Sequence, residues 1–236
     1  MSTDYENTTR DDASTTSIHK VRNKRTIKPK PELKAFYGND PNEIQVGVDE
    51  AGRGSFAGPV FAAAVILDPK LKDPEVKMIR DSKQLSKKKR EELRKYIENN
   101  AIAFSVHSSS AVVVDEINIL QATYRAMHQC LRHLSFLETK FERILVDGEH
   151  FKPFACQIHN CIPKGDNEYL CIAAASILAK TYHDEWIQNA CTENPELDAK
   201  YKWLKNMGYG TKEHRDGISE HGICEFHRKT FVQKYI

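Results

Sequence analysis

Residues 44–67 constrain this chain more than any other stretch: two β-branched, apolar runs, IQVGVDE and PVFAAAVIL, flank the glycine-rich turn AGRGSFAG. Runs of this kind punctuated by glycine read as two neighbouring strands. The first ends on adjacent acids, Asp49 and Glu50. Carboxylates are costly to hold beside a core unless they are paired or bound to a cation. Successive strand residues also point to opposite faces, so both acids can serve one site only if the strand ends there and Gly52 and Gly54 turn the backbone. Taken alone, the fragment fits a surface turn with incidental acids equally well. Gly52, Gly54 and Ala57 further match a dinucleotide-binding fingerprint, but that motif needs a helix to begin in the turn. Gly58-Pro59 and the apolar run after it predict a second strand instead.

Further along, residues 101–107, 143–146 and 156–162 are candidate strands. Helical spacing marks residues 86–98, with Ser86 as N-cap, and residues 117–137, 169–187 and 211–220. Strands first and helices alternating afterwards argue for an α/β layer domain with a mixed sheet. A chain of 236 residues, 40% hydrophobic, suits one such domain over residues 33–236, preceded by a polar and basic extension over residues 1–32 too poor in large apolar side chains to order itself. The polar, acidic start and the six cysteines without a secretory leader predict a reducing compartment: the cytoplasm, or the nucleus in a eukaryotic host. The longest apolar runs are too short for a membrane helix. Net charge is only +2, yet residues 19–34 and 83–95 each carry seven Lys or Arg, so a nucleic-acid partner and a merely solvated basic face both stay open.

Two more acids join the first pair. The run RILVDG is again an apolar strand ending on an acid, Asp147, before glycine. In the helix YLCIAAASILAKTYHDEW, four alanines permit close packing on a sheet, and Ser176, Lys180 and Asp184 recur on one stripe. That stripe either serves a site or contains a simple Lys180–Asp184 pair, worth only ~0.3–0.5 kcal/mol. Together Asp49, Glu50, Asp147 and Asp184 are an all-oxygen set, which suits Mg²⁺ or Mn²⁺ over Zn²⁺. Two such ions roughly 4 Å apart form the usual arrangement for phosphodiester hydrolysis. A zinc site at Cys156, His159 and Cys161 has no standard ligand spacing.

These segments resemble type 2 ribonuclease H, and within it ribonuclease HII. VDEAGRGSFAGPVFAAAVIL is similar to the N-terminal active-site block, DSKQLSKKKREEL to the basic helix and ILVDGEHF to the third-acid strand. KGDNEYLCIAAASILAKTYHDEW is similar to the long helix, and GYGTKEHRDGISEHGICEFHRKTF to the C-terminal block. The resemblance spans about residues 33–232 in consistent order. It implies a ribonuclease H-like fold: a mixed five-stranded sheet flanked by helices, with a helical C-terminal segment closing over the substrate. It implies that Asp49, Glu50, Asp147 and Asp184 are the four catalytic, metal-binding carboxylates, Asp184 standing where ribonuclease HIII carries Glu. Gly52, Arg53 and Gly54 would read the ribose 2′-hydroxyl, Tyr209 would pack on the junction sugar, and Lys83, Lys87 and Lys180 are candidates for phosphate contact. The implied activity is endonucleolytic cleavage of RNA in RNA–DNA hybrids and incision 5′ of single ribonucleotides in duplex DNA, leaving 3′-hydroxyl and 5′-phosphate ends. A monomeric enzyme is expected. His183 departs from the family, where arginine is usual, as does Glu149-His150 after Asp147-Gly148. A hybrid-binding module that does not cut would have a broken carboxylate set, and a DNA nuclease on the same fold would cut all-DNA duplex.

Overall fold

The computed structural model describes residues 32–236, so the expected extension lies outside it except for its last residue. Five strands form one sheet: β1 (Gln45–Ala51), β2 (Val60–Ile66), β3 (Ala103–Ser109), β4 (Arg143–Asp147) and β5 (Ile158–Ile162), in the order β3-β2-β1-β4-β5. β2 runs antiparallel to β1 and β3, whereas β1, β4 and β5 are parallel, which gives the mixed sheet that strand order in the sequence predicts. The helices are α1 (Lys87–Asn100), α2 (Ala111–Phe136), α3 (Leu170–Glu193), α4 (Glu196–Tyr201), α5 (Trp203–Asn206), α6 (Lys212–His221) and α7 (Lys229–Val232). Among the described residues, no helix is long and apolar enough to cross a membrane.

The two-residue period of the strands sorts the core into layers. Val46 and Val48 of β1, Ala62, Ala64 and Ile66 of β2, and Ile144 and Val146 of β4 pack with Met127, Cys130, Leu131 and Leu134 of α2. Ala63 and Val65 face the other way, against Leu93 and Ile97 of α1 and Ala173, Ala174, Ile177 and Leu178 of α3. Asp49 follows Val48, so it shares the α3 face with Gly47; Asp147 follows Val146 and emerges on that same face. Helices α4 to α6 form a further layer on the far end of α3, where Ile187, Leu197, Trp203 and Ile218 bury one another with Ala57 of the turn after β1.

Boundaries differ from the sequence reading in instructive places. Periodicity starts the second long helix at residue 117, whereas α2 begins at Ala111 and breaks at Asn118, whose φ is +64°. The Asn118 side chain accepts a hydrogen bond from the Gln121 amide at 3.1 Å, so it caps a second helical start. The first turns, capped by Ser110, leave Val112 and Ile117 exposed and so carry no clean apolar stripe. Strand β3 is shifted two residues towards the C-terminus, and α3 runs on to Glu193 because the C-terminal layer covers its last turns.

Small residues let α3 lie against β1, and Gly47 is where the approach is tightest. A Cβ built there would lie 2.2 Å from the Cys171 carbonyl carbon and 2.4 Å from the Ile172 amide nitrogen. Those are backbone atoms and cannot rotate away. Gly47→Ala is therefore expected to destabilise the fold by about 3 kcal/mol or more, at the upper end of overpacking costs. Urea unfolding checks this, and a midpoint unchanged from the parent protein refutes the packing account.

Candidate active site

Three carboxylates converge at the carboxyl ends of the parallel strands. Asp49 on β1 and Asp147 at the end of β4 sit one step beyond the pair Val48–Val146, which places them side by side on the α3 face. The third is Asp166, in the single 3₁₀ turn Gly165–Asn167 between β5 and α3. Ligand oxygens of Asp49, Asp147 and Asp166 all lie within 4.8 Å of one another. The turn is tied to the sheet by the Gly165 amide, which donates to Asp147 Oδ1 at 2.7 Å. Glu50 closes the group from the β1 end, where its charge and that of Asp147 act on each other, and its Oε1 accepts from the Arg53 guanidinium at 3.2 Å.

Asp184 is not in this cluster, contrary to the sequence expectation. Ser176, whose hydroxyl donates to Asp49, marks the place where α3 touches the site. Asp184 lies eight residues further along, about 12 Å at 1.5 Å per residue. There its carboxylate accepts from Lys180 Nζ at 2.7 Å and His183 Nδ1 at 3.0 Å, with Arg90 Nη2 at 3.7 Å. It faces an open groove of about 410 Å³ between α1 and α3. The intrahelical pairing that the stripe of Ser176, Lys180 and Asp184 equally allowed is what forms.

Electrostatics separates the two kinds of acid. Burial raises the Asp49 pKa well above the usual carboxylate range, and the neighbouring charges of Glu50 and Asp147 raise it further. Burial also raises Glu50, against the opposing effect of Arg53. Asp166 is pushed up to about 6 by burial first, then by Asp147 and Asp81. Its carboxyl is hydrogen-bonded to that of Asp81, which stays below the usual range despite its burial because the Lys83 amide and Gln84 donate to it. The proton of that pair therefore sits on Asp166. For Asp184, burial would raise the pKa, but His183 and Lys180 outweigh it and hold the group low. Asp184 is already neutralised by its neighbours, whereas Asp49 and Asp166 await a positive charge. Their all-oxygen donor set, with several negative charges packed against each other, fits a hard divalent cation.

Of the expected substrate-contact residues, Lys83 and Arg53 lie beside this cluster. Lys83 is exposed; burial, the largest single influence, lowers its pKa, but the charges of Asp81, Asp49, Asp166 and Asp147 together outweigh it and raise it. Arg53 is exposed at the turn tip. Tyr209 bridges to Ser55 across two extended segments, and the Phe56 amide donates to the Gly208 carbonyl at 2.8 Å. Lys180 Nζ lies 5.2 Å from the centroid of the Tyr209 ring. Lys87 is elsewhere: its Nζ donates to Gln188 in the α1–α3 groove at 3.0 Å. Cys156, His159 and Cys161 form no metal-ligand cluster; Cys156 is exposed, and His159 stacks edge-on against Phe151 at 5.4 Å.

Residues that the sequence reading passed over hold the turn and Tyr209. Arg228, fully buried, donates through Nη1 to the Arg53 carbonyl and through Nε to that of Gly58, both at 3.0 Å. His214 Nδ1 donates to the Tyr209 carbonyl at 3.0 Å, while its Nε2 accepts from Trp203 at 3.1 Å and lies 3.0 Å from His227 Nε2. None of these lies in a strand-end acid pattern; the only signal was a run of aromatic and imidazole side chains beyond residue 200.

The raised acids make a stability prediction. Asp166 in the folded, metal-free protein has a pKa above its unfolded value, so the stability it contributes is full below the unfolded pKa and is lost as pH rises through about 6. Asp166→Asn removes that loss. In chelator, the variant is expected to melt above the parent at about pH 7.5 and level with it near pH 3.5. Saturating Mg²⁺ is expected to reverse the order at the higher pH. Calorimetric melting with and without metal reads all three, and parallel pH curves for the two proteins would contradict the assignment.

Comparison with known proteins gives the family. Residues 46–234 match the family model described as Ribonuclease HII. The ribonuclease HII of Parabacteroides distasonis is 48% identical over 193 residues, covering 82% of this chain and 92% of that protein. That of Christiangramia forsetii is 48% identical over 185 residues, covering 78% and 88%. Among solved structures, the ribonuclease HII of Archaeoglobus fulgidus, determined in complex with PCNA, superposes with a TM-score of 0.63 at 25% identity, covering 80% of this chain and 94% of that one. With the family model matching most of its length and the same layered sheet beneath its acids, this chain belongs to the ribonuclease HII family, hydrolases that act on RNA–DNA hybrids.

Proposed function

We propose that this enzyme incises duplex DNA on the 5′ side of single ribonucleotides, as well as cutting the RNA of hybrids, with Asp49, Glu50, Asp147 and Asp166 holding Mg²⁺ or Mn²⁺. The observation that carries this reading is the convergence of Asp49, Asp147 and Asp166 oxygens within 4.8 Å beside a glycine turn. When bound there, a pair of divalent ions supplies an activated water and stabilises the leaving oxygen of the phosphodiester. The chain's own residues do the rest. Asp49 and Asp147 present their oxygens from rigid strand ends, and Asp166 from a turn pinned to Asp147. Site positions fixed by a sheet lose little entropy on binding a substrate.

The turn supplies selectivity in this reading. Gly52 has a φ of +85°, a conformation that L side chains rarely adopt, and a Cβ at Gly54 would meet only the Tyr209 ring, at 3.9 Å, among the described residues. Backbone without side-chain bulk lets an amide or carbonyl approach a 2′-hydroxyl closely, and only a ribonucleotide offers that group. Tyr209 then packs on the sugar, and Lys83 and Lys180 meet the flanking phosphates.

The deciding experiment gives the purified enzyme and Mg²⁺ a duplex containing one ribonucleotide, beside an all-DNA control. Cutting is expected at the ribonucleotide alone, with a 5′-phosphate on the product that begins with it. Asp166→Asn is expected to lower kcat/KM by about 10³-fold or more, as loss of a metal ligand and its transition-state electrostatics should. Asp184→Asn, whose carboxylate pairs with Lys180 and His183 outside the cluster, should cost about 10–100-fold at most. The reverse ranking would return Asp184 to the metal set, and equal cutting of the control would remove the ribonucleotide reading.

A further inference from the structure

His183 occupies the floor beneath the glycine turn. The imidazole is fully buried, and a Cβ added to Gly52 would lie 2.5 Å from its Cδ2 and 2.8 Å from its Nε2. Phe61 meets the ring edge-on at a centroid distance of 6.2 Å, and Tyr209 lies at 5.8 Å. Its two nitrogens are spoken for: Nδ1 lies 3.0 Å from Asp184 Oδ1, and Nε2 lies 3.2 Å from Ser55 Oγ. A carboxylate can only accept, so Nδ1 carries the proton and Nε2 is left to accept from the Ser55 hydroxyl. Burial, the largest influence, lowers the His183 pKa, which keeps this neutral form.

The order acid, imidazole, hydroxyl is that of a nucleophilic triad, but Ser55 and His183 are both completely buried and no substrate carbonyl can reach them. What the relay does reach is the backbone. Ser55 directly follows Gly54, its amide donates to the Gly52 carbonyl at 3.2 Å, and it pairs with Tyr209 across the isolated bridge. Through one hydroxyl, the imidazole thus fixes the turn and the residue opposite it.

We propose that His183 is the positioning residue for ribonucleotide selectivity: locked in one tautomer by Asp184, it holds the Gly52–Ser55 turn in the conformation that reads the 2′-hydroxyl. This deepens the function proposed above and rests on it. It also gives Asp184 a role away from the metals, as the group that orients the imidazole.

The test compares kcat/KM on a duplex with one ribonucleotide against the same duplex with a 2′-deoxy-2′-fluoro nucleotide at that position, both with an all-DNA control. Removing the hydrogen bond by Ser55→Ala or by His183→Phe, which keeps ring bulk, should shrink the ribose-to-fluoro ratio about tenfold, the worth of one buried hydrogen bond. In the double variant the effects should not add, since both singles break the same bond. A variant that cuts both substrates more slowly with an unchanged ratio overturns the inference, because a general structural defect acts on both alike. So do additive effects in the double variant. Ser55→Ala removes one oxygen atom and decides the matter if His183→Phe does not fold. Should the parent enzyme fail to prefer the ribonucleotide over the all-DNA control, the functional reading falls first and the inference with it.

Discussion

Mutual repulsion among carboxylates at the ends of two parallel strands governs this molecule. Register alone sets Asp49 beside Asp147, because Val48 pairs with Val146 and the next residue of each strand turns to the same face. Burial then makes their charges expensive, and the raised pKa of Asp49 measures how poorly the protein alone satisfies them. A structure under selection for stability alone would have replaced one acid by a neutral side chain. Keeping all of them is intelligible only if a cation, supplied from solution, completes the site.

The sheet and the first two acids were legible because strand periodicity and glycine punctuation are local signals. The apolar runs around Asp49 and before Asp147 announce where the chain must be buried and where it must stop. Asp166 was legible by the same rule, an acid beside glycine at the boundary of an apolar element, yet the stripe of Ser176, Lys180 and Asp184 drew the fourth role to Asp184 instead. A stripe on a helix specifies a face but not a distance along the axis. Ser176 and Asp184 share that face while only the first is near Asp49, and the distance became visible once β1 was laid against α3 at Gly47. The start of α2 was illegible for a different reason. Asn118 breaks its helical geometry with a positive φ, and exposed Val112 and Ile117 scramble the apolar spacing that periodicity relies on.

The C-terminal layer shows how a segment with no acid pattern can still control chemistry. Arg228 reaches back 175 residues in sequence to the Arg53 carbonyl, and His214 grips the Tyr209 carbonyl through a buried pair of imidazoles. Burial and the proximity of His214 hold the pKa of His227 down to about 4, and burial lowers that of His214, so this pair is uncharged at neutral pH. Neutral imidazoles add no charge to a region already crowded with carboxylates and cationic side chains. They contribute direction instead, since each ring donates at one nitrogen and accepts at the other.

The molecule therefore divides its polar groups between two tasks that demand opposite environments. Asp49 and Asp166, proposed to bind a cation, are close together and under-satisfied, their pKa values raised by burial and by neighbouring acids. Groups meant to hold backbone must be fully satisfied, so that no alternative geometry competes; Asp184, His183 and Ser55 meet that one. The two sets belong to neighbouring elements: Asp49 is near the end of the strand whose following turn carries Ser55, and Asp166 sits in the turn that precedes the helix carrying His183 and Asp184. The bonds from Lys180 and His183 that make Asp184 a good orienting group are the ones that lower its pull on a metal. The pairing of Asp184 with Lys180 and His183 is thus a physical reason for proposing the fourth ligand in the turn before α3, at Asp166, and not on the helix itself.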